Sequence, residues 1–450
     1  MTPQTIYALS SAPGRAGVAV IRLSGPQAAD AVLALTGRDL PKPRTASLRR
    51  LRDADGVLID EALVLWFEKP HSFTGEDVAE LHVHGGRAVL AALFDALAKL
   101  PGLRLAEPGE FSRRAFEHGR FDLTQAEALG DLINAETEAQ RRQALQQMQG
   151  ALGNLYEGWR NRLTHALAHL EAEIDFPDED LPEGVAAEVK PQIARLREEI
   201  AGHLADNRRG EILREGLMVA ILGAPNVGKS SLLNALARRD VAIVSEIPGT
   251  TRDVIEAHLD LGGYPVVLAD TAGLRAKDET AADRIEREGI HRALKRAEGA
   301  DLKLVVLDAA RLRETLAEET AALIDENAIV VVNKVDAAPD LPPDLAFAGR
   351  APIRLSVKTG AGMTDLLAAL QEAVTARLGG GAGASLTRER HRLALQDCVA
   401  SLDRFLADTS AAELAAEDVR LAARALGRIT GRIEVEDLLD VIFRDFCIGK

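Results

Sequence analysis

One stretch decides the fold of this chain: Gly223-Ala-Pro-Asn-Val-Gly-Lys-Ser230, between the apolar run Leu217–Leu222 and a helical pattern starting near Ser231. This order of strand, glycine-rich loop and helix is typical of a phosphate-binding loop. Its glycines let backbone N–H groups surround phosphates, and the helix N-terminus adds positive potential. We expect Lys229 to reach the β- and γ-phosphates and Ser230 to bind Mg²⁺. The alternative is a glycine-rich turn with an incidental lysine, which the flanking strand and helix disfavour.

Two motifs further along the chain are typical of a nucleotide switch. Asp270-Thr-Ala-Gly273 ends another apolar run, where a carboxylate can hold the water shell of Mg²⁺ and a glycine N–H can sense the γ-phosphate. Gly249-Thr-Thr-Arg-Asp253 lies between the two phosphate motifs and supplies Thr251, whose hydroxyl can join Mg²⁺ only when triphosphate is present. The pattern therefore predicts a state that depends on the bound nucleotide.

The base is fixed by Asn333-Lys-Val-Asp336, which follows the apolar run Ala328–Val332. Asp336 can accept hydrogen bonds from the N1–H and the exocyclic amine of guanine, a donor pair that adenine lacks. Ser356-Val-Lys358 would complete the base pocket. Four motifs in this order predict GTP binding. Fully apolar runs that alternate with helical segments over residues 216–378 predict an α/β domain with a mostly parallel sheet.

Hydrolysis needs a group that orients the attacking water. Small signalling GTPases use a glutamine directly after the glycine of the second motif, but Leu274 occupies that position here and cannot hydrogen-bond to water. Our hypothesis is that Glu286, in the acidic helical stretch that follows, acts as general base or through a bridging water. The alternative is that Glu286 is an ordinary solvated helix residue.

The composition limits the classes of function. The 54 lysines and arginines face 69 aspartates and glutamates, and a formal net charge of −15 argues against broad, non-specific binding to nucleic acid. Arg49, Arg50 and Arg52 form a basic run that is more typical of a solvated loop than of a phosphate site. No apolar stretch reaches the roughly 18 residues of a membrane span. With two cysteines and no signal-peptide pattern, a cytoplasmic protein without a membrane contact is expected.

The chain is predicted to be multidomain. Residues 1–118 read as an α+β domain, residues 119–215 and 379–450 as two parts of one helical domain, and residues 216–378 as the inserted α/β domain. Leu152, Trp159 and Leu163 belong to an apolar stripe that requires a partner helix. Another helix is predicted over residues 186–212, and the glycine-rich stretch 379–385 reads as a flexible linker.

With these motifs in place, the chain resembles, from end to end, the MnmE (TrmE) family of bacterial tRNA modification GTPases, a branch of the TrmE-Era-EngA-YihA-Septin-like GTPases. Besides the nucleotide motifs, the resemblance rests on Pro13-Gly-Arg-Ala-Gly17, Ile21-Arg-Leu-Ser-Gly25, Phe73-Thr-Gly-Glu-Asp77, His84-Gly-Gly86, Pro108-Gly-Glu-Phe111, Asp122-Leu-Thr-Gln-Ala-Glu127 and Phe446-Cys-Ile-Gly-Lys450. The last pentapeptide is highly specific for the family.

The resemblance implies potassium-dependent GTP hydrolysis by paired G domains of a homodimer, with Glu286 as the hydrolytic glutamate. It implies Mg²⁺ at Ser230 and Thr251, and K⁺ at Asn226, Ser245, the Ile247 backbone and Thr250. Ser245 stands where relatives often carry threonine and keeps the oxygen. The full set of nucleotide contacts is Asn226, Val227, Gly228, Lys229, Ser230, Ser231, Ser245, Glu246, Ile247, Pro248, Gly249, Thr250, Thr251, Asp270, Thr271, Ala272, Gly273, Asn333, Lys334, Asp336, Ser356, Val357 and Lys358.

The resemblance also implies a folate-binding-like N-terminal domain. A 5-formyl- or 5,10-methylene-tetrahydrofolate would contact Arg22, Glu80, Arg120 and Lys450, although Arg120 stands where lysine is common. Cys447 would be the essential thiol. With the FAD-dependent partner MnmG, such an enzyme adds a (carboxymethyl)aminomethyl group to C5 of the wobble uridine of certain tRNAs.

Other classes of function remain open on sequence. A GTP-dependent binding switch without covalent chemistry would carry the same nucleotide motifs, but it would require neither the terminal pentapeptide nor the first domain. A folate enzyme merely regulated by GTP would keep its activity in a Lys229→Ala protein. His82 and His84 share a strand face, but no third ligand is evident for zinc.

Overall fold

The computed structural model describes residues 4–175, 185–239, 241–243, 256–270, 299–316, 318–380, 383–407, 412–433, 436–444, 446 and 448–449. They fall into two compact units. The first unit takes its residues from 1–130, 148–186 and 407–450, and the second from 131–147 and 187–406. The helical segments are divided between the units, and the domain boundaries given above stay predictions.

The helices are numbered along the chain. They are α1 (Ala28–Thr36), α2 (Arg87–Ala98), α3 (Glu110–Glu117), α4 (Leu123–Asn134), α5 (Glu138–Met148), α6 (Ala151–Asp175), α7 (Val185–Leu204), α8 (Arg209–Glu215), α9 (Lys229–Ala237), α10 (Leu312–Thr315), α11 (Glu318–Ala321), α12 (Met363–Leu378), α13 (Glu389–Ala407), α14 (Ala412–Thr430) and α15 (Glu436–Arg444). In the described part of the chain, none combines the length and the hydropathy that a bilayer span requires.

The first unit contains a six-stranded sheet. Its strands are β1 (Thr5–Leu9), β2 (Ala16–Ser24), β3 (Ser47–Arg52), β4 (Leu58–Phe67), β5 (Val78–Gly85) and β6 (Leu103–Leu105), in the order β3-β4-β5-β2-β1-β6. β1 and β6 are parallel, and the other neighbours are antiparallel. Side chains alternate between the faces of a strand, so Leu81 and Val83 of β5 are buried in the core with α1 and α2. Glu80, His82 and His84 share the opposite face.

The apolar stripe of α6 finds its partner far along the chain. Leu152, Trp159 and Leu163 are buried, and α6 packs against α14. Val419 and Leu426 of α14 are fully buried as well. The prediction that this stripe needs a partner helix is therefore confirmed, and the partner comes from the last helical stretch.

The second unit contains the α/β sheet. Its strands are β7 (Leu217–Leu222), β8 (Glu256–Leu261), β9 (Tyr264–Asp270), β10 (Leu302–Asp308), β11 (Ala328–Asn333) and β12 (Ile353–Arg354), in the order β12-β11-β10-β7-β9-β8. All neighbours are parallel except β8 and β9. The prediction of a mostly parallel sheet is confirmed. The carboxyl ends of β7, β9 and β11, where predicted motifs begin, lie at the same edge of the sheet because these strands are parallel.

The prediction of one helix over residues 186–212 is wrong in one respect, because the helix is interrupted after Leu204. Asn207 and Arg208 adopt φ values of 53° and 58°, which end α7 before α8 begins. Asp206 stabilises this turn by accepting from the Arg208 N–H at 3.0 Å. The Arg392 guanidinium donates to the same oxygen at 2.7 Å. A contact with a residue 186 positions away could not be read from local periodicity.

Candidate functional site

The loop after β7 adopts the conformation that a phosphate cradle requires. Gly223 and Gly228 have φ values of 139° and 102°, and Asn226 has a φ of 66°. A Cβ on Gly223 would lie 2.2 Å from the carbonyl oxygen of Val306, so only glycine fits against β10. Gly228 is the N-cap of α9, whose first N–H groups point back toward the loop.

Lys229 is held against this loop rather than in solvent. Its Nζ donates to the carbonyl oxygens of Gly223 at 2.7 Å and Ala224 at 3.0 Å. The side chain is only 7% exposed. This buried ammonium group lies at the N-terminus of α9, and its charge together with the first N–H groups of the helix suits an anion.

Asn333 ties the phosphate loop to the base motif. It is almost fully buried and donates from Nδ2 to the Val227 carbonyl oxygen at 2.8 Å. Its Oδ1 accepts from the N–H groups of Lys334 at 2.8 Å and Val357 at 3.2 Å. One amide therefore connects three of the predicted motifs, although 106 residues separate it from Val227.

Lys334 makes a second link, through a residue that the sequence analysis missed. Its Nζ donates to the Asn226 carbonyl oxygen at 2.7 Å and to Asp308 Oδ2 at 2.6 Å. Asp308 is buried at the end of β10, directly opposite Asn333 in the parallel register. The sequence does indicate Asp308, because it is the acidic residue that ends the apolar run LKLVVLD, at the same sheet edge as the motifs.

Asp336 is placed as a group that recognises a base. Its Oδ1 accepts from the Ser356 hydroxyl at 2.6 Å. This hydrogen bond lowers the pKa of Asp336, and Lys358 acts in the same direction. The carboxylate is therefore ionised at neutral pH, and it remains exposed to an external donor pair. The structure brings together Asn226, Val227, Gly228, Lys229, Asn333, Lys334, Asp336, Ser356 and Val357.

Some predicted nucleotide contacts are placed only in part or lie outside the described residues. Ser230 follows Lys229 in the first turn of α9 and is half-buried, and Ser231 is exposed. The Asp270 backbone ends β9 opposite Ile221 of β7, the strand that leads into the phosphate loop. Outside the described residues lie Ser245, Glu246, Ile247, Pro248, Gly249, Thr250, Thr251, Thr271, Ala272, Gly273 and Glu286.

A second candidate site lies on the first unit. Arg22 of β2 and Glu80 of β5 are directly opposite in the antiparallel register and form an ion pair at 3.0 Å. The Arg22 guanidinium also lies 5.0 Å from the ring centre of Phe73 and 5.8 Å from that of Phe111. The two predicted folate contacts are thus a half-buried pair beside two aromatic rings.

The other predicted folate contacts lie on neighbouring segments. Arg120 is exposed, and it precedes Phe121, whose ring centre is 6.1 Å from that of Phe73. At the C-terminus, Ile448 pairs with Pro108, and the Gly449 carbonyl accepts from the Ser10 hydroxyl at 2.8 Å. Cys447 and Lys450, on either side of these two residues, lie outside the described residues.

The two histidines of β5 each contact a different carboxylate. His82 Nε2 lies 3.4 Å from Glu80 Oε2. His84 Nδ1 lies 2.8 Å from Asp60 Oδ1, and the His84 backbone N–H donates to Asp60 Oδ2. Hydrogen bonds from His84 lower the pKa of Asp60 against the opposing effect of burial. Among the described residues, no cluster of three or more potential metal ligands is present.

Two family models together match most of the chain. The model of the GTP-binding protein TrmE N-terminus matches residues 5–120, and that of the MnmE helical domain matches residues 123–447. The tRNA modification GTPase MnmE of Paramagnetospirillum magneticum is 57% identical over 447 residues, covering 99% of this chain and 100% of its own. The chain belongs to the MnmE family. The protein of that name from Parvibaculum lavamentivorans is also 57% identical, over 455 residues.

Solved structures match parts of the chain. The G domain of the T. maritima FeoB iron transporter is 25% identical over 36% of this chain and 98% of its own, with a TM-score of 0.25. Aquifex aeolicus Era bound to GDP and AlF4⁻ is 25% identical over 43% of this chain and 68% of its own, with a TM-score of 0.27. Membership of the MnmE family confirms the predicted resemblance and the assignment of the chain as a GTP hydrolase.

Cys398 differs from a reactive thiol. It is fully buried in α13, and burial raises the pKa of its thiol to about 12. A thiol with such a pKa is not ionised at neutral pH and is a poor nucleophile. Cys398 is therefore a structural core residue, which makes it the matched control for any test of Cys447.

Proposed function

We propose that this chain is a potassium-dependent GTPase that, with the FAD-dependent partner MnmG, adds a (carboxymethyl)aminomethyl group to C5 of the wobble uridine of certain tRNAs. The one-carbon unit would come from a tetrahydrofolate derivative, and the active form would be a cytoplasmic homodimer. The observation that supports this function is the identity of 57% over nearly the whole chain to proteins named for tRNA modification. The described nucleotide residues and the Arg22–Glu80 pair support this proposal.

The described nucleotide residues suit GTP. The glycine-lined loop and Lys229 offer donors for the β- and γ-phosphates, and the Ser230 hydroxyl would take one position at Mg²⁺. Asp336 would accept from guanine N1–H and the exocyclic amine, with Ser356 fixing its orientation. Asn333 sets the spacing between the two ends, because it bonds to the phosphate loop and to the base loop.

For hydrolysis, we propose that Glu286 orients the attacking water, since Leu274 cannot. Asn226 would hold K⁺ together with Ser245, the Ile247 backbone and Thr250, and Thr251 would join Mg²⁺. The exposed side chain of Asn226, on a loop residue with positive φ, supports this role. When bound, these cations stabilise the negative charge that develops on the phosphate oxygens.

For the folate site, the chemistry of the described donors fits the ligand. A carboxylate such as Glu80 suits the N–H donors of a pterin ring, and the guanidinium groups of Arg22 and Arg120 suit a glutamate tail. The rings of Phe73 and Phe121 offer an apolar surface beside them. The anchored residues Ile448 and Gly449 support Lys450 and Cys447 as groups of the same site.

Coupling between nucleotide and tRNA chemistry would pass through helical segments of the second unit. The Ala139 N–H of α5 donates to the Gly263 carbonyl oxygen at 3.0 Å, and Glu136 lies 3.3 Å from His258 Nδ1. His258 and Gly263 belong to the β8–β9 hairpin, which connects the two predicted switch motifs in the chain. A change at the switches would therefore act on the N-terminus of α5.

One experiment with two arms tests the proposed function. In the first arm, GTP turnover by the purified protein is measured in K⁺ and in Na⁺ buffers, and for Glu286→Ala in K⁺. We expect turnover at least about tenfold faster in K⁺, and a loss of about 100-fold or more in the variant, because a cation at the phosphates and a water-orienting group both act in the transition state. Equal rates in both buffers would contradict the K⁺ assignment. Full turnover by the variant would show that Glu286 does not orient the attacking water.

In the second arm, tRNA nucleosides are analysed from cells that carry Cys447→Ser or the control Cys398→Ser. We expect the modified wobble uridine to disappear with Cys447→Ser and to persist with Cys398→Ser, since the buried thiol of Cys398 takes no part in chemistry. Modified uridines that persist in both strains would contradict the proposed role of the Cys447 thiol.

A further inference from the structure

The Glu80 carboxylate is held at both of its oxygens. Arg22 donates from Nε at 3.1 Å and from Nη2 at 3.0 Å, and both bonds end on Oε1. His82 Nε2 faces the other oxygen, Oε2, at 3.4 Å. The three side chains are 18–28% exposed, so each contact is partly shielded from water.

The sheet brings these residues together. Arg22 lies directly opposite Glu80 in the β2–β5 register, and His82 follows Glu80 by two positions on the same strand face. The direct cross-strand neighbours of His82 are Val20 and Leu63, which are both apolar. Nothing on those two strands competes with Glu80 for the imidazole at the same register.

The other histidine of the strand has a different partner. His84 is engaged with Asp60, and Glu61 of β4 is paired with Arg50 at 2.7 Å. Neither the His84–Asp60 pair nor the Arg50–Glu61 pair is bonded to Glu80 or to Arg22 in the described contacts. Of these two histidines, His82 is therefore the one that contacts the Arg22–Glu80 pair.

A ligand that draws Arg22 to one of its own anionic groups would disturb the Arg22–Glu80 pair. If Arg22 turns to an anionic group of the ligand, Glu80 loses two hydrogen bonds at Oε1, and a half-buried carboxylate without partners is costly. The contact at Oε2 does not depend on Arg22, so it can persist when the ion pair opens. His82 then keeps Glu80 oriented toward the N–H donors of a ligand.

We propose that His82 is a positioning residue for the pterin ring, acting through Glu80. This inference rests on the proposed folate function of the same site. His82 would help Glu80 to bind the flat, donor-rich pterin ring. His82 itself would make no contact with the glutamate tail. Its role is distinct from that of Arg22, which carries the charge for an anionic ligand.

The test measures the dissociation constant of 5-formyltetrahydrofolate by equilibrium titration of the full-length protein. Loss of a hydrogen bond to a charged group predicts about tenfold weaker binding in His82→Ala. His82→Gln keeps a side-chain N–H donor and should recover most of that loss. His84→Ala, two residues along the same face, is the matched control and should bind like the wild type.

A double-mutant cycle separates this role from a structural one. Because His82 acts through Glu80, His82→Ala should cause less than about a twofold further loss in a Glu80→Gln background. A merely structural defect would add its full effect in both backgrounds and would not be rescued by His82→Gln.

The outcomes are distinguishable. Wild-type protein that does not bind 5-formyltetrahydrofolate would overturn the folate function and this inference with it. Wild-type binding that is unchanged in His82→Ala, or equally weakened in His84→Ala, would overturn the inference alone. Thermal unfolding of each variant identifies one that is not folded, and His82→Gln and the cycle then decide the question.

Discussion

Replacing Asp336 with asparagine is expected to weaken GTP binding by about 1000-fold, because two hydrogen bonds to a charged acceptor are lost at ~1.5–3 kcal/mol each. The asparagine amide would present N–H donors to the donor face of guanine. Xanthine carries a carbonyl oxygen at C2 in place of the amine, so the same substitution should improve binding of xanthosine triphosphate. Both affinities are measured by displacement of a fluorescent nucleotide.

The control for this variant is Ser356→Ala. It removes the hydroxyl that orients Asp336 but leaves the carboxylate, so a loss of about tenfold is expected, with no gain for xanthosine triphosphate. It also removes the hydrogen bond that lowers the pKa of Asp336, so GTP binding in this variant should weaken at a higher pH on acidification than in the wild type. Unaltered nucleotide preference in Asp336→Asn would mean that another residue selects the base.

Replacing Gly228 with alanine is expected to remove nucleotide binding and to destabilise the second unit. The new Cβ would lie 2.4 Å from Asn333 Nδ2, at the position where this amide bonds to Val227. The residue would also have to adopt a φ of 102°. Disturbing the buried Asn333 and straining the backbone should together lower the free energy of unfolding by about 2–4 kcal/mol, measured by urea denaturation.

Gly349→Ala separates the two causes. Gly349 also has a positive φ, 78°, but a Cβ there would meet no atom within 4 Å. We expect only the backbone cost of about 1 kcal/mol and normal GTP affinity. If Gly228→Ala binds GTP as well as Gly349→Ala does, the phosphate loop and the base motif are not locked to each other through this contact.

The nucleotide motifs could be predicted because each is local. Glycines at 223 and 228 indicate backbone conformations that other residues avoid. The carboxylate of Asp336 only accepts hydrogen bonds, so the residue type alone predicts a preference for the donor pair of guanine. The link from Asn333 to Val227 could not be predicted in this way. It depends on β10 lying between β7 and β11, which is a property of the sheet and not of either motif.

The first unit shows the same limit. Arg22 and Glu80 came from the resemblance to a family, and on sequence alone each reads as a surface charge. Only the register of β2 against β5 makes them a pair, and only the strand alternation adds His82. The break between α7 and α8 was missed for a similar reason, since Arg392 stabilises that turn from a distant helix.

The loop around Lys229 is expected to bind the triphosphate of one GTP molecule, and Asp336 its guanine base. The most direct test is an equilibrium titration of the purified protein with GTP and with ATP under identical conditions. We expect GTP to bind at least about 100-fold more tightly, because adenine leaves the carboxylate without its donor pair. Equal affinities for the two nucleotides would contradict the account.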